Sequence, residues 1–177
     1  MPSDPVRLLL LADTHVPRRA RALPAQVWDA VEAADVVFHA GDWQVPELLD
    51  ELEARARRLV GVWGNNDGPE LRERLPETAR VEIGGVRLAM THETGAAKGR
   101  ERRMAAAFPD ADVLVFGHSH IPWDTVAGPD TANPGLRLLN PGSPTDRRRQ
   151  PECTLMTALV RDGVLAEVRL VPVDRTP

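Results

Sequence analysis

Residues 6–15 read "VRLLLLADTH". A short, nearly continuous apolar run reads as a central strand buried on both faces. Its end in Asp13, Thr14 and His15 puts polar groups just past the strand's carboxyl end, where open α/β sheets place their chemistry. Working outward, "LPAQVWDAVEAA" (residues 23–34) has helical spacing through Val27, Trp28 and Val31, with Pro24 near its start. "DVVFHAGD" (35–42) is a second buried strand. "VPELLDELEARARR" (45–58) is a second helix, with Pro46 in its first turn and acidic residues early. "LVGV" (59–62) is a third strand. The order βαβαβ predicts a parallel sheet with right-handed crossovers.

The second half is β-rich. "RVEIGGVRLAMTH" (80–92) is two alternating runs joined by Gly84-Gly85, a hairpin signal. "KGRERRMAAAF" (98–108) reads as a helix stopped by Pro109, and "ADVLVFGHSH" (111–120) as another buried strand ending in polar residues. Strand-like "WDTVAG", "LRLLN", "CTLMTALV" and "VLAEVRLVPV" follow, the last past a turn at Asp162-Gly163. The predicted architecture is α/β: a sandwich of two stacked mixed sheets with helices outside, formed by residues 1–177 as one domain.

Composition bounds the function. A net charge of −4 argues against a chain that lives by wrapping nucleic acid. The one cysteine, Cys153, excludes an intramolecular disulfide, fits a reducing compartment and reads as buried packing. No apolar run approaches the roughly 18 residues of a membrane span. With Asp4 before it and no small-residue cleavage site after it, the first apolar run reads as a buried strand and not a signal peptide. The expected location is therefore cytoplasmic.

Five apolar runs end in chemistry-bearing residues: Asp13-Thr14-His15, Gly41-Asp42, Gly64-Asn65-Asn66-Asp67, Thr91-His92 and Gly117-His118-Ser119-His120. Four of the five histidines lie there, which random scatter would not produce. Asp, Asn and His offer oxygen and nitrogen donors without thiolate, a set suited to divalent manganese, iron, zinc or nickel. Asp13 and His15 are two apart, so in extended chain both point to one side, and His118 and His120 repeat the spacing. So many donors exceed the needs of one ion. Two ions about 3.5–4 Å apart can clamp an attacking and a leaving oxygen. Against Asp13, Asp42 and one hydroxide, two divalent ions leave net positive charge, fit for a phosphate anion.

In this order and spacing, "DTH", "GD", "GNND", "TH" and "GHSH" resemble the calcineurin-like metallophosphoesterase superfamily. The short length and "LLNPGSP" (138–144) resemble its small bacterial and archaeal phosphodiesterase branch, whose relatives include the retromer scaffold subunit. The resemblance runs from Val6 to about Val173. It implies one ion held by Asp13, His15, Asp42 and His120, and another by Asp42, Asn65, His92 and His118, with Asp42 bridging. It further implies a metal-bridging hydroxide as nucleophile, manganese foremost among the metals, and a small phosphate ester as substrate, most simply a diester. Asp42, Asn65 and His92 would carry the catalysis, with Asn66 as a further candidate able to donate a hydrogen bond. Many members follow the Asn ligand with a His that meets the phosphate or the leaving oxygen; here Asn66 stands there, and a carboxamide cannot act as an acid near neutral pH. Where the family commonly has Gly after the fourth motif, this chain has Glu93. A non-catalytic protein-binding scaffold and a nuclease are the alternatives, and a homo-oligomer stays open.

Of the other residues, His39 reads as packing behind the site and Asp67 as either a turn residue or an orienting group. Arg18, Arg19 and Arg21 stand as solvated loop or phosphate contacts. Arg147-Arg148-Arg149 reads first as surface charge, with a clamp for a polyanion as the functional alternative. Trp43 and Trp123 are candidate pocket walls, and Trp28 reads as core.

Overall fold

The computed structural model describes residues 4–174. Strands β1 (Val6–Leu11), β2 (Val36–His39) and β3 (Leu59–Gly61) alternate with helices α1 (Ala25–Ala33) and α2 (Pro46–Arg55). They pair in parallel, with Leu8 opposite Val36 and Val37 opposite Leu59. After α3 (Pro69–Arg74) come the hairpin β4 (Thr78–Ile83) and β5 (Val86–Thr91), helix α4 (Arg100–Ala107), and strands β6 (Val113–Val115), β7 (Trp123–Val126), β8 (Arg137–Asn140), β9 (Cys153–Arg161) and β10 (Val164–Val173).

Two five-stranded mixed sheets result, β10-β9-β1-β2-β3 and β4-β5-β6-β8-β7. The predicted two-sheet sandwich with a parallel βαβαβ start is what forms. The chain closes the first sheet late: β9 returns antiparallel beside β1, Val160 opposite Val6. Helix α3 is absent from the sequence reading, because at six residues it is too short to show an apolar period.

The alternation of β1 explains the layers. Leu8 and Leu10 face inward, into a core shared with Phe38, Leu88, Met90, Val115 and Met156 between the sheets. Leu9 and Leu11 face outward, beneath Val27, Val31, Leu48, Leu49 and Leu52 of the helices. A third cluster, with Leu114, Phe116, Ala105 and Phe108, joins α4 to the outer face of the second sheet. Burying one large aliphatic side chain is worth roughly 1.5–3 kcal/mol, so β1, whose last four residues are buried on both faces, anchors everything attached to its carboxyl end. Among the described residues no helix is long and apolar enough to cross a membrane.

Candidate metal centre

The loops after β1, β2, β3, β5 and β6 meet at one end of the sandwich. Backbone bonds stitch them together: Asp13 N–H donates to Gly41 O (2.9 Å), His15 N–H to Asp42 O (3.0 Å) and Gly117 N–H to His92 O (3.0 Å). The polar residues do not sit on extended chain. Asp13, His15, Asp42, His118 and His120 all have positive φ, between 44° and 73°. Each donor is thus aimed by its own left-handed turn, and the Asp-X-His spacing converges for that reason and not through strand alternation. Asp, Asn and His are the non-glycine residues that best tolerate this region.

Glycines let the loops close. Gly64 precedes Asn65, and a Cβ there would fall on the Asp42 carboxylate. Gly41, at φ +93°, would drive a Cβ to 2.7 Å from His92 Nδ1.

Asp13, His15, Asp42, Asn65, His92, His118 and His120 all come together. They form two groups around Asp42. In the first, His15 Nε2 and His120 Nε2 are 3.1 Å apart, and Asp13 Oδ1 lies 3.9 Å and 3.6 Å from them. In the second, Asn65 Oδ1 is 3.0 Å from both His92 Nε2 and His118 Nδ1. Asp42 Oδ2 stands between the groups, 3.5 Å from His15 Nε2 and 3.4 Å from His92 Nε2. Asp13 also looks across, 4.0 Å from His92 Nε2.

An outer layer fixes the rings. His92 Nδ1 donates to Ala40 O (2.7 Å) and His120 Nδ1 to Asp146 O (2.6 Å), which turns each Nε2 inward toward the cluster. His15 Nδ1 meets the Gln44 carboxamide at 2.9 Å. Asp67 is the clasp of the loops: its carboxylate accepts from Gly64 N–H (2.7 Å), Asp42 N–H (3.0 Å) and Gln44 N–H (2.9 Å). Ser143 Oγ donates to Asp13 O (2.7 Å) and Thr145 Oγ1 to Thr14 O (2.6 Å), so the "NPGSP" turn braces the first loop from behind.

Electrostatics separates the two aspartates. Burial pushes Asp13 up to about 8. Burial works the same way on Asp42, but its hydrogen bond to His92, the His92 charge and the bonds from Asn66 win and hold it well below the carboxylate range. For His92 burial opposes protonation, yet the bond to Asp42 and the charges of Asp13 and Asp42 push it up to about 9. Burial lowers His15, and lowers His120 to about 4.

Asn66 is turned inward. Its Nδ2 donates to Asp42 Oδ2 (2.8 Å) and its backbone N–H to Asp42 Oδ1 (2.9 Å). It orients Asp42 through these two bonds, although the residue itself lies exposed. His39 lies behind the site, stacked on Trp43 at 3.6 Å and paired with Thr14 Oγ1 at 2.9 Å. Trp43 is not a pocket wall: it is fully buried in the helix-side core, its Nε1 donating to Val62 O. The aromatic beside the donors is Trp63, which lines a cleft of about 70 Å³ with Asn65, Glu77, Thr91, His92 and Glu93. Its place directly before "GNND" was the available signal. Trp28 is only partly covered, with Arg55 over its ring. Glu93 Oε1 is 3.7 Å from His118 Nε2.

A two-sheet α/β sandwich with a carboxylate, carboxamide and imidazole cluster at one sheet end defines the metallophosphoesterase class of fold. The chain matches the calcineurin-like phosphoesterase superfamily domain over residues 6–163 and belongs to that superfamily. It is 32% identical over 161 residues to a Methanothermobacter thermautotrophicus protein named "Probable metallophosphoesterase", spanning 90% of this chain and 89% of the relative. The solution structure of Thermotoga maritima TM1076 is similar at TM-score 0.74 and 31% identity, covering 95% of this chain and 99% of that one. Vps29 of Entamoeba histolytica, solved in complex with Zn²⁺, shares the fold at TM-score 0.68 and 24% identity, covering 94% and 98%. As a superfamily of phosphoester hydrolases that use divalent metals, this membership agrees with the candidate ligands gathered here.

Proposed function

We propose that the protein is a dinuclear metal-dependent phosphodiesterase. The observation that carries the reading is the pair of donor groups sharing Asp42 Oδ2, 3.5 Å from His15 Nε2 and 3.4 Å from His92 Nε2. The donors fit divalent ions. They are nitrogen and oxygen ligands without sulfur, and the outer ring nitrogens of His92 and His120 are already committed to carbonyls. A buried carboxyl held as high as Asp13 is a group that a cation would bring back to its ionised form. Asp13, His15 and His120 would hold one ion, Asn65, His92 and His118 the other, and Asp42 both. Manganese is the metal proposed; the zinc carried by the Entamoeba relative fits the same donors.

Bound there, the two ions would supply Lewis acidity, lowering the pKa of water and offsetting phosphate charge. The chain's own residues do the rest. Asn66 holds both Asp42 oxygens, so the shared ligand cannot rotate. Ala40 and Asp146 carbonyls keep His92 and His120 in the ligating tautomer. With Asn66 directed at Asp42, that position supplies no proton to a departing alkoxide. This favours good leaving groups and the singly charged diester over the doubly charged monoester.

The test is a screen of manganese-loaded protein against phosphomonoesters, aryl phosphodiesters and cyclic nucleotides. Hydrolysis of aryl diesters, lost on removal of metal, is the expected result. Two tightly bound ions with no cleavage across the panel would instead favour a protein-binding role on the same fold.

A further inference from the structure

The turn after β8 does more than brace the first loop. Ser143 and Thr145 fix it to the backbone of Asp13 and Thr14, and the Asp146 carbonyl takes the His120 ring. Two residues on stands Arg148, with a left-handed backbone at φ 48°. Its N–H donates to Asp146 Oδ1 (3.3 Å), and its Nη1 makes a long 3.4 Å contact with His118 O. The first bond ties the Arg148 backbone to the residue that holds the His120 ring, and the second brings its side chain to the loop that carries His118 and His120. The head group therefore stands at the rim of the first donor group. Burial dominates the pKa values of Asp13, His15 and His120, and the Arg148 charge is felt at all three.

Arg19 and Arg147 are occupied and Arg148 is not. Arg19 pairs with Asp146 Oδ2 at 3.4 Å, and Arg147 Nη1 donates to Gln150 O at 2.7 Å. Among the described residues Arg148 makes no ion pair. One guanidinium nitrogen makes one weak bond; the remaining N–H groups stay open, in the fork geometry that suits phosphate oxygens. On the other flank, Asn66 is spent on Asp42, and Glu93 presents a carboxylate beside His118. The guanidinium on that flank, Arg72, lies over the Trp63 ring and is spent on the Asn65 and Asp67 carbonyls.

We propose that Arg148 is the residue that binds the non-bridging oxygens of the substrate phosphate, from the side of Asp13, His15 and His120. This rests on the phosphoesterase reading for the identity of the ligand. It adds an asymmetry: the phosphoryl oxygens turn toward Arg148, and the ester substituent lies toward the Trp63 cleft.

The probe is inorganic phosphate, titrated calorimetrically into manganese-loaded protein, beside KM and kcat for an aryl diester. Arg148→Asn removes the side chain and keeps a residue suited to left-handed backbone. Losing a charge-assisted bond of this kind costs about 10- to 100-fold in binding. The expected result is that loss in phosphate affinity and in kcat/KM for Arg148→Asn, partial recovery in Arg148→Lys, no change in Arg147→Ala, and unaltered metal content in all three. Phosphate affinity that is unchanged in Arg148→Asn overturns the proposal, as does a parallel loss of metal, which would make the residue structural. A protein that cleaves no ester but loses phosphate binding in Arg148→Asn refutes the enzyme reading and keeps Arg148. One that cleaves esters equally well without Arg148 does the reverse.

Discussion

The two donor groups are built to different standards. The His120 side chain is fully buried and Asp13 is covered completely, while the His118 side chain is 42% exposed and Asn65 lies at the surface. Behind the first group stand Gln44, Ser143, Thr145 and Asp146. Behind the second, the His92 ring is tied to Ala40, while Asn65 and His118 are held at their backbone, by Arg72 and by Asp13 and Arg148. A donor whose rotamer is locked loses little entropy on binding, and one that must be ordered loses more. The first group should therefore hold its ion tightly and the second should exchange, although both draw on the same carboxylate.

Removing that shared carboxylate should erase the distinction. Asp42→Ala is expected to lower ester hydrolysis by at least about a thousandfold and to deplete both ions, read by metal analysis after gel filtration. Breaking one group at a time should expose the difference. His120→Ala should lose the tightly held ion, whereas His118→Ala should keep about one ion per chain and regain activity with added manganese; equal depletion in the two variants would refute the asymmetry. Asp67→Asn, which weakens three backbone anchors beside Asp42, should reduce metal affinity about tenfold in both groups alike.

The smallest expected effect is on the metal-free fold. Asp13 is raised to about 8 and His92 to about 9. Raised groups bind more protons folded than unfolded, so their contribution is complete at low pH and is lost as pH climbs through those values. His120, lowered to about 4, acts oppositely, losing its contribution as pH falls from 6.5 towards 4. Chelator-treated protein should therefore lose melting temperature between about pH 6.5 and 9, by a few degrees. Metal should cancel the decline by balancing the ionised Asp13. An alkaline slope that survives metal loading would show that these groups are not the ligands.

Much of this was legible in the sequence because β1 is so plainly apolar and because each buried strand ends in a polar residue. The return of β9 beside β1 was not legible: strand patterns give faces, while partners depend on the whole chain. The centre shows the same limit. The residues that converge could be named from their places after apolar runs, but the means of convergence could not. Spacing suggested extended chain, whereas the backbone takes left-handed turns at Asp13, His15, His118 and His120. Trp43 and Trp63 show how adjacency misleads. Both neighbour a motif, yet only Trp63 reaches the cleft, while Trp43 packs under the helices. Among three consecutive arginines, nothing in the letters distinguishes Arg148; its side-chain partner lies 30 residues away.

The left-handed donors bear on any attempt to retune this centre. Coordination chemistry and backbone geometry draw here on one short alphabet, because Asp, Asn and His ligate divalent ions and also tolerate positive φ. Exchanging a donor for Glu or Cys to recruit another metal would change the turn together with the ligand. Libraries aimed at metal selectivity would do better to leave these positions fixed, together with Gln44 at φ 92°, and vary Asp146 and Glu93, which stand beside His120 and His118 outside the left-handed region.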